Sequence, residues 1–307
     1  MAHARLETTV GPLTLRTPLM AASGTFGFAE EYEDFVDFSK VGAVVTKTIT
    51  LHHRSGNPVP RTWETTGGML NAIGLENPGV DYFIRKKYPY LETLDTTVIV
   101  NIAGETPEDY GALAAKLTGL KKIAAIELNV SCPNVKEGGL TIGTDPDKIR
   151  KTTEIAKHET PLPVIVKLSP NVTDITMMAQ AAIDGGADAL SLVNTLLGMA
   201  VTIEKQQPAL ANVTGGLSGP CIKPVALRMV YEVARAFPKT PVIGIGGISQ
   251  YRDVVEFMLA GACAVQIGTW NFIEPGALVT VADDLAAYLD SIGEKKAVNL
   301  IGALKTE

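Results

Sequence analysis

The sequence predicts one (β/α)8 barrel, and three observations carry that expectation. Eight short apolar runs recur along the 307 residues, segments with helical spacing separate them, and no shift in composition marks a second domain within residues 1–307. An open doubly wound sheet is the rival arrangement, but it needs a reversal of strand order for which the chain shows no signal.

The runs, in order, are PLMAASG (Pro18–Gly24), AVVTKTI (Ala43–Ile49), VIVNIAG (Val98–Gly104) and AAIELNV (Ala124–Val130). PVIVKLS (Pro163–Ser169), ALSLVNT (Ala189–Thr195), PVIGIGG (Pro241–Gly247) and AVQIGT (Ala264–Thr269) follow. Each is rich in β-branched residues or small enough to be buried on both faces, as parallel strands are. Helices are expected between them, so that strand and helix alternate eight times. TPEDYGALAAKLTGL opens with Thr106 as N-cap, Pro107 in the first turn and acidic residues next, and Asp145 repeats that opening in DPDKIRKTTEIAKH. VTDITMMAQAAIDGGA stops at Gly185-Gly186, and YRDVVEFMLAGA stops at Gly261.

Two connections exceed what a barrel needs. One runs from about Thr50 to Thr97, after the second strand, and contains NAIGLENPG; the other runs from about Leu196 to Pro224, after the sixth, and contains NVTGGLSGP. Long Gly/Asn-rich excursions beside a rigid scaffold build lids or substrate walls.

Composition removes several function classes. The net charge of −6, with no Lys/Arg cluster, argues against nucleic acid and anionic membrane as partners. No apolar run approaches the roughly 18 residues of a spanning helix, and MAHARLETTV has no stretch suited to a signal peptide. Cys132, Cys221 and Cys263 show no CxxC spacing, so neither a disulfide scaffold nor zinc is expected, and the reducing cytoplasm is the expected compartment. His3, His52, His53 and His158 form no metal motif; His52-His53 reads as a solvated loop pair.

The polar residues cluster at one end of the strands. Ser23-Gly24, Lys47-Thr48, Asn101, Asn129, Lys167, Asn194-Thr195, Gly246-Gly247 and Gly268-Thr269 end the eight runs in turn. Barrel active sites occupy that C-terminal face. The glycines after the last two runs leave backbone N–H groups open, which suits a phosphate, although Ser249 stands where a dinucleotide fingerprint needs its third glycine. Lys47 and Lys167 lie inside apolar runs, where an unpaired ammonium is costly, so each needs an anion or electron-rich group beside it. A Schiff-base lysine fits that position, as does a flavin ring held by lysines and amides. Cys132, just past the fourth run, suits a nucleophile or a general base, and the lack of a histidine at a strand end favours proton abstraction. Cys263 reads as small core packing and Cys221 as structural.

NVSCPNV, NAIGLENPG, VIVNIAG, VIVKLSP, LVNT, GGLSGP, IGIGGI and AVQIGT together resemble the dihydroorotate dehydrogenases, FMN enzymes of pyrimidine synthesis with a TIM-barrel fold. The likeness covers essentially the whole chain in motif order. Cysteine at position 132 resembles class 1, and NAIGLENPG resembles the 1B catalytic subunit, which passes electrons to a partner subunit carrying FAD and a 2Fe–2S cluster and thence to NAD.

The resemblance implies that Cys132 takes the C5 proton of dihydroorotate while the C6 hydride passes to FMN. It implies that Lys47 touches flavin and substrate, with Asn71, Ala72, Ile73, Gly74, Leu75, Asn129, Asn134, Asn194 and Thr195 around the substrate. Ser23, Thr48, Asn101, Asn129, Lys167, Val193 and Gly219 would line the FMN, and Gly246, Gly247, Gly268 and Thr269 would hold its phosphate. No metal is expected on this chain, and a homodimer at the core of a heterotetramer follows from the same resemblance. A fumarate-using class 1A enzyme, a flavin enzyme for another dihydropyrimidine and a Schiff-base aldolase stand as alternatives; an interaction protein would have no need of eight polar strand ends.

Overall fold

The computed structural model describes residues 3–131 and 142–306. Eight parallel strands close on themselves: β1 (Leu19–Ala21), β2 (Ala43–Val45), β3 (Thr97–Ile102), β4 (Ile123–Asn129), β5 (Val164–Leu168), β6 (Ala189–Leu192), β7 (Val242–Ile245) and β8 (Ala264–Ile267). β8 returns to β1 through Val265↔Leu19, Gln266↔Met20 and Ile267↔Ala21, which rules out the open sheet.

Helices α1 (Pro107–Leu117), α2 (Pro146–Glu159), α3 (Ile175–Asp184), α4 (Lys223–Ala236), α5 (Tyr251–Leu259) and α6 (Ala277–Ser291) follow β3 to β8 in turn. Their starts obey the sequence signals. Thr106 Oγ1 accepts from Asp109 N while Asp109 Oδ2 accepts from Thr106 N, and Asp145 Oδ1 accepts from Asp147 N and Lys148 N.

The expected alternation fails once and bends once. Between β1 and β2 the described residues hold two 3₁₀ turns, Glu30–Tyr32 and Phe38–Lys40, and no α-helix. Gly24, Gly27 and Ala29 all sit at positive φ, and Phe26 stacks on Tyr32 at 3.8 Å, so the segment folds as a packed loop. Between β2 and β3 the helical stretch Val80–Thr93 opens into a wider turn at Phe83–Lys87.

Two apolar layers hold the barrel together. Outward residues such as Ile126, Val166, Leu190 and Val265 meet Leu113, Ile149, Val230 and Phe257 from the helices. Inside, Met20, Val45, Ile99, Ala125, Ile165, Ala189, Ile243 and Ala264 fill the lower half, and Val10 and Leu15 of an N-terminal hairpin join that cluster. Two residues further along β3, β4, β5, β6 and β8 the interior becomes polar: Asn101, Glu127, Lys167, Ser191 and Gln266 are all buried there. The period of two therefore places apolar packing below and chemistry above.

The two long excursions make one object. Thr62–Thr65, Gly68–Asn71, Thr214–Ser218 and Leu196–Met199 form a four-stranded antiparallel sheet, joined through Gly216↔Asn71, Leu217↔Leu70 and Ser218↔Met69. Leu70, Ala72 and Leu210 give this wall a small core of its own. Among the described residues no helix is long and apolar enough to cross a membrane.

Candidate active site

A cavity of about 440 Å³ opens between the C-terminal end of the barrel and this wall. That is a size suited to a small-molecule or cofactor site. Strand ends reach it in order around the barrel: Ser23 and Gly24 after β1, Lys47 and Thr48 after β2, Asn129 at β4, Lys167 in β5, Val193 to Thr195 after β6, Gly246 and Gly247 after β7, and Gly268 and Thr269 after β8. The wall contributes Asn71, Ala72, Ile73, Gly74, Leu75 and Gly219. Asn101 does not reach the cavity. It is fully buried, its Nδ2 donates to Glu127 Oε1 at 2.7 Å, and its Oδ1 has no partner among the described residues. Cys132 and Asn134 lie outside the described residues.

Amides and hydroxyls form a triangle beside β4. Asn194 Nδ2 donates to Asn129 Oδ1 at 3.2 Å and to Ser131 Oγ at 2.7 Å, and Ser131 Oγ donates to Asn129 Oδ1 at 3.1 Å. Asn194 Oδ1 accepts from the Thr195 amide, and Tyr110 OH, from α1, donates to Asn129 O at 2.8 Å. Neutral amides with fixed orientation suit a flat ring of alternating donors and acceptors.

The two lysines differ. Lys167 is buried, with Nζ donating to Ser23 Oγ at 3.2 Å and standing 3.9 Å from Glu127 Oε1. An ammonium carries three N–H donors, and this is its one hydrogen bond among the described residues. Lys47 is half-buried, and burial pushes its ammonium below the ordinary lysine value; Glu76 opposes that shift and Arg61 adds to it. Arg61 and Glu76 pair with each other at the cavity wall.

The glycine turns are packing requirements as well as openings. Gly247, at φ 74°, has room for no Cβ, which would come within 2.8 Å of Lys223 Cβ and 2.9 Å of Gly219 O. Hence the end of β7 sits hard against the start of α4. Asp253 Oδ2 accepts from the Ser249 and Gln250 amides and Asp253 Oδ1 from Lys223 Nζ, fixing the loop beyond. The NAIGLENPG arm is held by Asn77, whose Oδ1 accepts from Thr50 N and Gly79 N and whose Nδ2 donates to Thr50 Oγ1 and Leu75 O.

This donor set fits an FMN. An under-bonded buried ammonium faces the cavity beside Ser23, and side-chain-free turns of the paired strands β7 and β8 stand next to the N-terminal approach of α4. Among the described residues no group of three or more His, Cys, Asp or Glu could hold a metal ion, and His52 and His53 are exposed. Cys263 is buried at the apolar end of the barrel, and Cys221 is exposed in the turn Pro220–Ile222.

Sequence reasoning passed over Glu127, Ser131, Ser169, Asn171 and the Arg61–Glu76 pair. Glu127 carried a readable signal, being a charge inside an apolar run like the two lysines. The others are polar loop residues that only the closed structure brings to the cavity wall.

The family model for dihydroorotate dehydrogenase matches residues 5–289. The chain is 54% identical over 306 residues to the "dihydroorotate dehydrogenase B (NAD(+)), catalytic subunit" of Geotalea uraniireducens, covering 100% of both. Proteins of the same name from Geotalea daltonii (53% identical, 99% of this chain and 100% of that one) and Geobacter sulfurreducens (54%, 98% of each) are similar to it. Among solved structures, DHODH of Eimeria tenella in complex with ferulenol shares the fold, with a TM-score of 0.81 at 24% identity over 97% of this chain and 88% of that one.

Proposed function

Since this chain belongs to the dihydroorotate dehydrogenase family, we propose that its cavity binds FMN and dihydroorotate together, with Cys132 as the general base. The chain is an oxidoreductase of the B type, oxidising dihydroorotate to orotate in pyrimidine biosynthesis with NAD as the final acceptor. Membership of the family displaces the Schiff-base aldolase, and the NAD(+) type of the relatives displaces the fumarate-using alternative.

The observation that supports the reading is the convergence of Lys47, Asn129, Lys167, Asn194 and the Gly246 and Gly268 turns on one cavity. In this proposal Cys132 removes the C5 proton of dihydroorotate, needing its thiolate form to do so. Asn71, Asn129, Asn134, Asn194 and Thr195 orient the pyrimidine ring by hydrogen bonds, with Ala72, Ile73, Gly74 and Leu75 as the apolar wall above it. Lys47 balances the substrate carboxylate, its partly desolvated ammonium gaining an anion beside it. Ser23, Thr48, Lys167, Val193 and Gly219 hold the flavin, Asn101 supports them from behind, and Gly246, Gly247, Gly268 and Thr269 take the phosphate. FMN, when bound, supplies the acceptor for the two electrons and the hydrogen that leave C6.

The reading extends to a single FMN-binding domain over residues 1–307, forming a cytoplasmic homodimer that two electron-transfer subunits with FAD and 2Fe–2S complete as a heterotetramer. The test is purification of the chain from its native cells with flavin and iron analysis. FMN is expected on this chain, and FAD and iron on a co-purifying subunit without which NAD reduction is slow. A colourless chain, or brisk NAD turnover by the isolated chain, would overturn the proposal.

A further inference from the structure

Glu127 is a buried carboxylate to which the reaction gives no part. It projects from β4 into the barrel and is fully buried. Side chains from three other strands donate to it: Asn101 Nδ2 of β3 at 2.7 Å to Oε1, and Ser191 Oγ of β6 at 2.9 Å and Gln266 Nε2 of β8 at 2.8 Å to Oε2. From β5, Lys167 Nζ stands 3.9 Å from Oε1, the one cation paired with it among the described residues. A carboxylate in such a place is costly unless it is both hydrogen-bonded and paired, and here it is both. One layer down, the barrel interior is filled by apolar residues, so closing the barrel does not of itself call for a charge. Four side chains from four other strands are therefore organised around one charge, immediately beneath the cavity.

The geometry points to Glu127 as a positioning residue that acts through Lys167. The three neutral donors fix the carboxylate, and the carboxylate holds the lysine ammonium down and offsets part of its charge, leaving Ser23 and the cavity for the remaining N–H groups. This inference rests on the reading that Lys167 lies against the flavin. On that reading Glu127 sets how much positive charge the reduced, negatively charged flavin feels, and hence the potential at which dihydroorotate can deliver its electrons.

The test is the two-electron midpoint potential of the flavin in the holoenzyme and its variants. Glu127→Gln keeps the shape but releases the lysine charge. It is expected to raise the ratio of reduced to oxidised flavin at a given potential about tenfold, or about 30 mV for a two-electron couple. Glu127→Asp, which keeps the charge, should restore most of the difference. Lys167→Met should lower the potential, and adding Glu127→Gln in that background should move it by less than about a third of the single effect, because the group through which Glu127 acts is gone. An unmoved potential in Glu127→Gln, or an equal shift in both backgrounds, would overturn the inference. Should Glu127→Gln fail to retain flavin, Ser191→Ala serves instead: stripped of one donor, the carboxylate draws more strongly on Lys167 and the potential falls, and an unchanged value counts against the inference. A silent Lys167→Met would instead defeat the placement of Lys167 against the flavin, which separates the two failures.

Discussion

Asn71 and Gly216 stand opposite each other in antiparallel register, and Asn71 Nδ2 donates to Gly216 O at 3.4 Å across a separation of 145 residues. One hydrogen-bonded sheet therefore carries both long excursions, and a change in either is felt at the same cavity wall. Gly216 is the tightest point of that wall, since a Cβ there would lie 2.1 Å from Thr195 Oγ1 and 2.6 Å from Thr195 Cβ.

Gly216→Ala is accordingly expected to push Thr195 off its position while leaving the flavin side of the cavity alone. The Michaelis constant for dihydroorotate should rise about tenfold with FMN content unchanged. Steady-state kinetics beside the flavin absorbance of the same preparation make the comparison. An unaltered constant would mean that Thr195 has no part in holding substrate.

Lys47 predicts a stability effect with a definite sign. In the unfolded chain its ammonium keeps the proton up to the ordinary value of 10.5, whereas burial lowers that value in the fold. Between the two values the unfolded chain binds more protons, so stability rises with pH through that window; below it the cost of the buried charge is present in full. Lys47→Met should therefore raise the melting temperature of the flavin-free protein at neutral pH, and the gain should narrow as the pH climbs through the window. Thermal melts over a pH series read this directly, and a gain independent of pH would place its cause elsewhere.

The cysteines separate by environment. Burial pushes the Cys263 thiol up to about 12, so in the native state it stays protonated at ordinary pH, and its Sγ lies against Val242 O at 3.3 Å. Burial raises Cys221 too, but its side chain is exposed. Alkylation of native protein at mildly alkaline pH should modify Cys221 and spare Cys263, while both react in denaturant. Peptide mass mapping distinguishes the outcomes, and native labelling of Cys263 would contradict its burial.

Much of this architecture is written locally. Each of the eight apolar runs covers all of a barrel strand or all but its first residue, because burial on both faces leaves a continuous signature, and Thr106 and Asp145 cap helices as their patterns require. The helix expected between β1 and β2 from the alternation alone is replaced by a loop in which Phe26 packs against Tyr32 and Phe38, a contact that no local pattern announces. The joining of Asn71 to Gly216 could not be read at all, since antiparallel pairing between distant Gly-rich segments leaves no periodic mark in either. Lys47 and Lys167 were legible as charges in apolar company, and Glu127 was equally so. Its three neutral donors, by contrast, come from strands that become neighbours only when the barrel closes.

The most direct measurement is anaerobic single-turnover reduction of the bound flavin by dihydroorotate in wild type and Cys132→Ala. The account expects both proteins to hold FMN equally and the variant to be reduced slower by about 10²-fold or more, the contribution of a positioned base. Equal rates in the two proteins would contradict it.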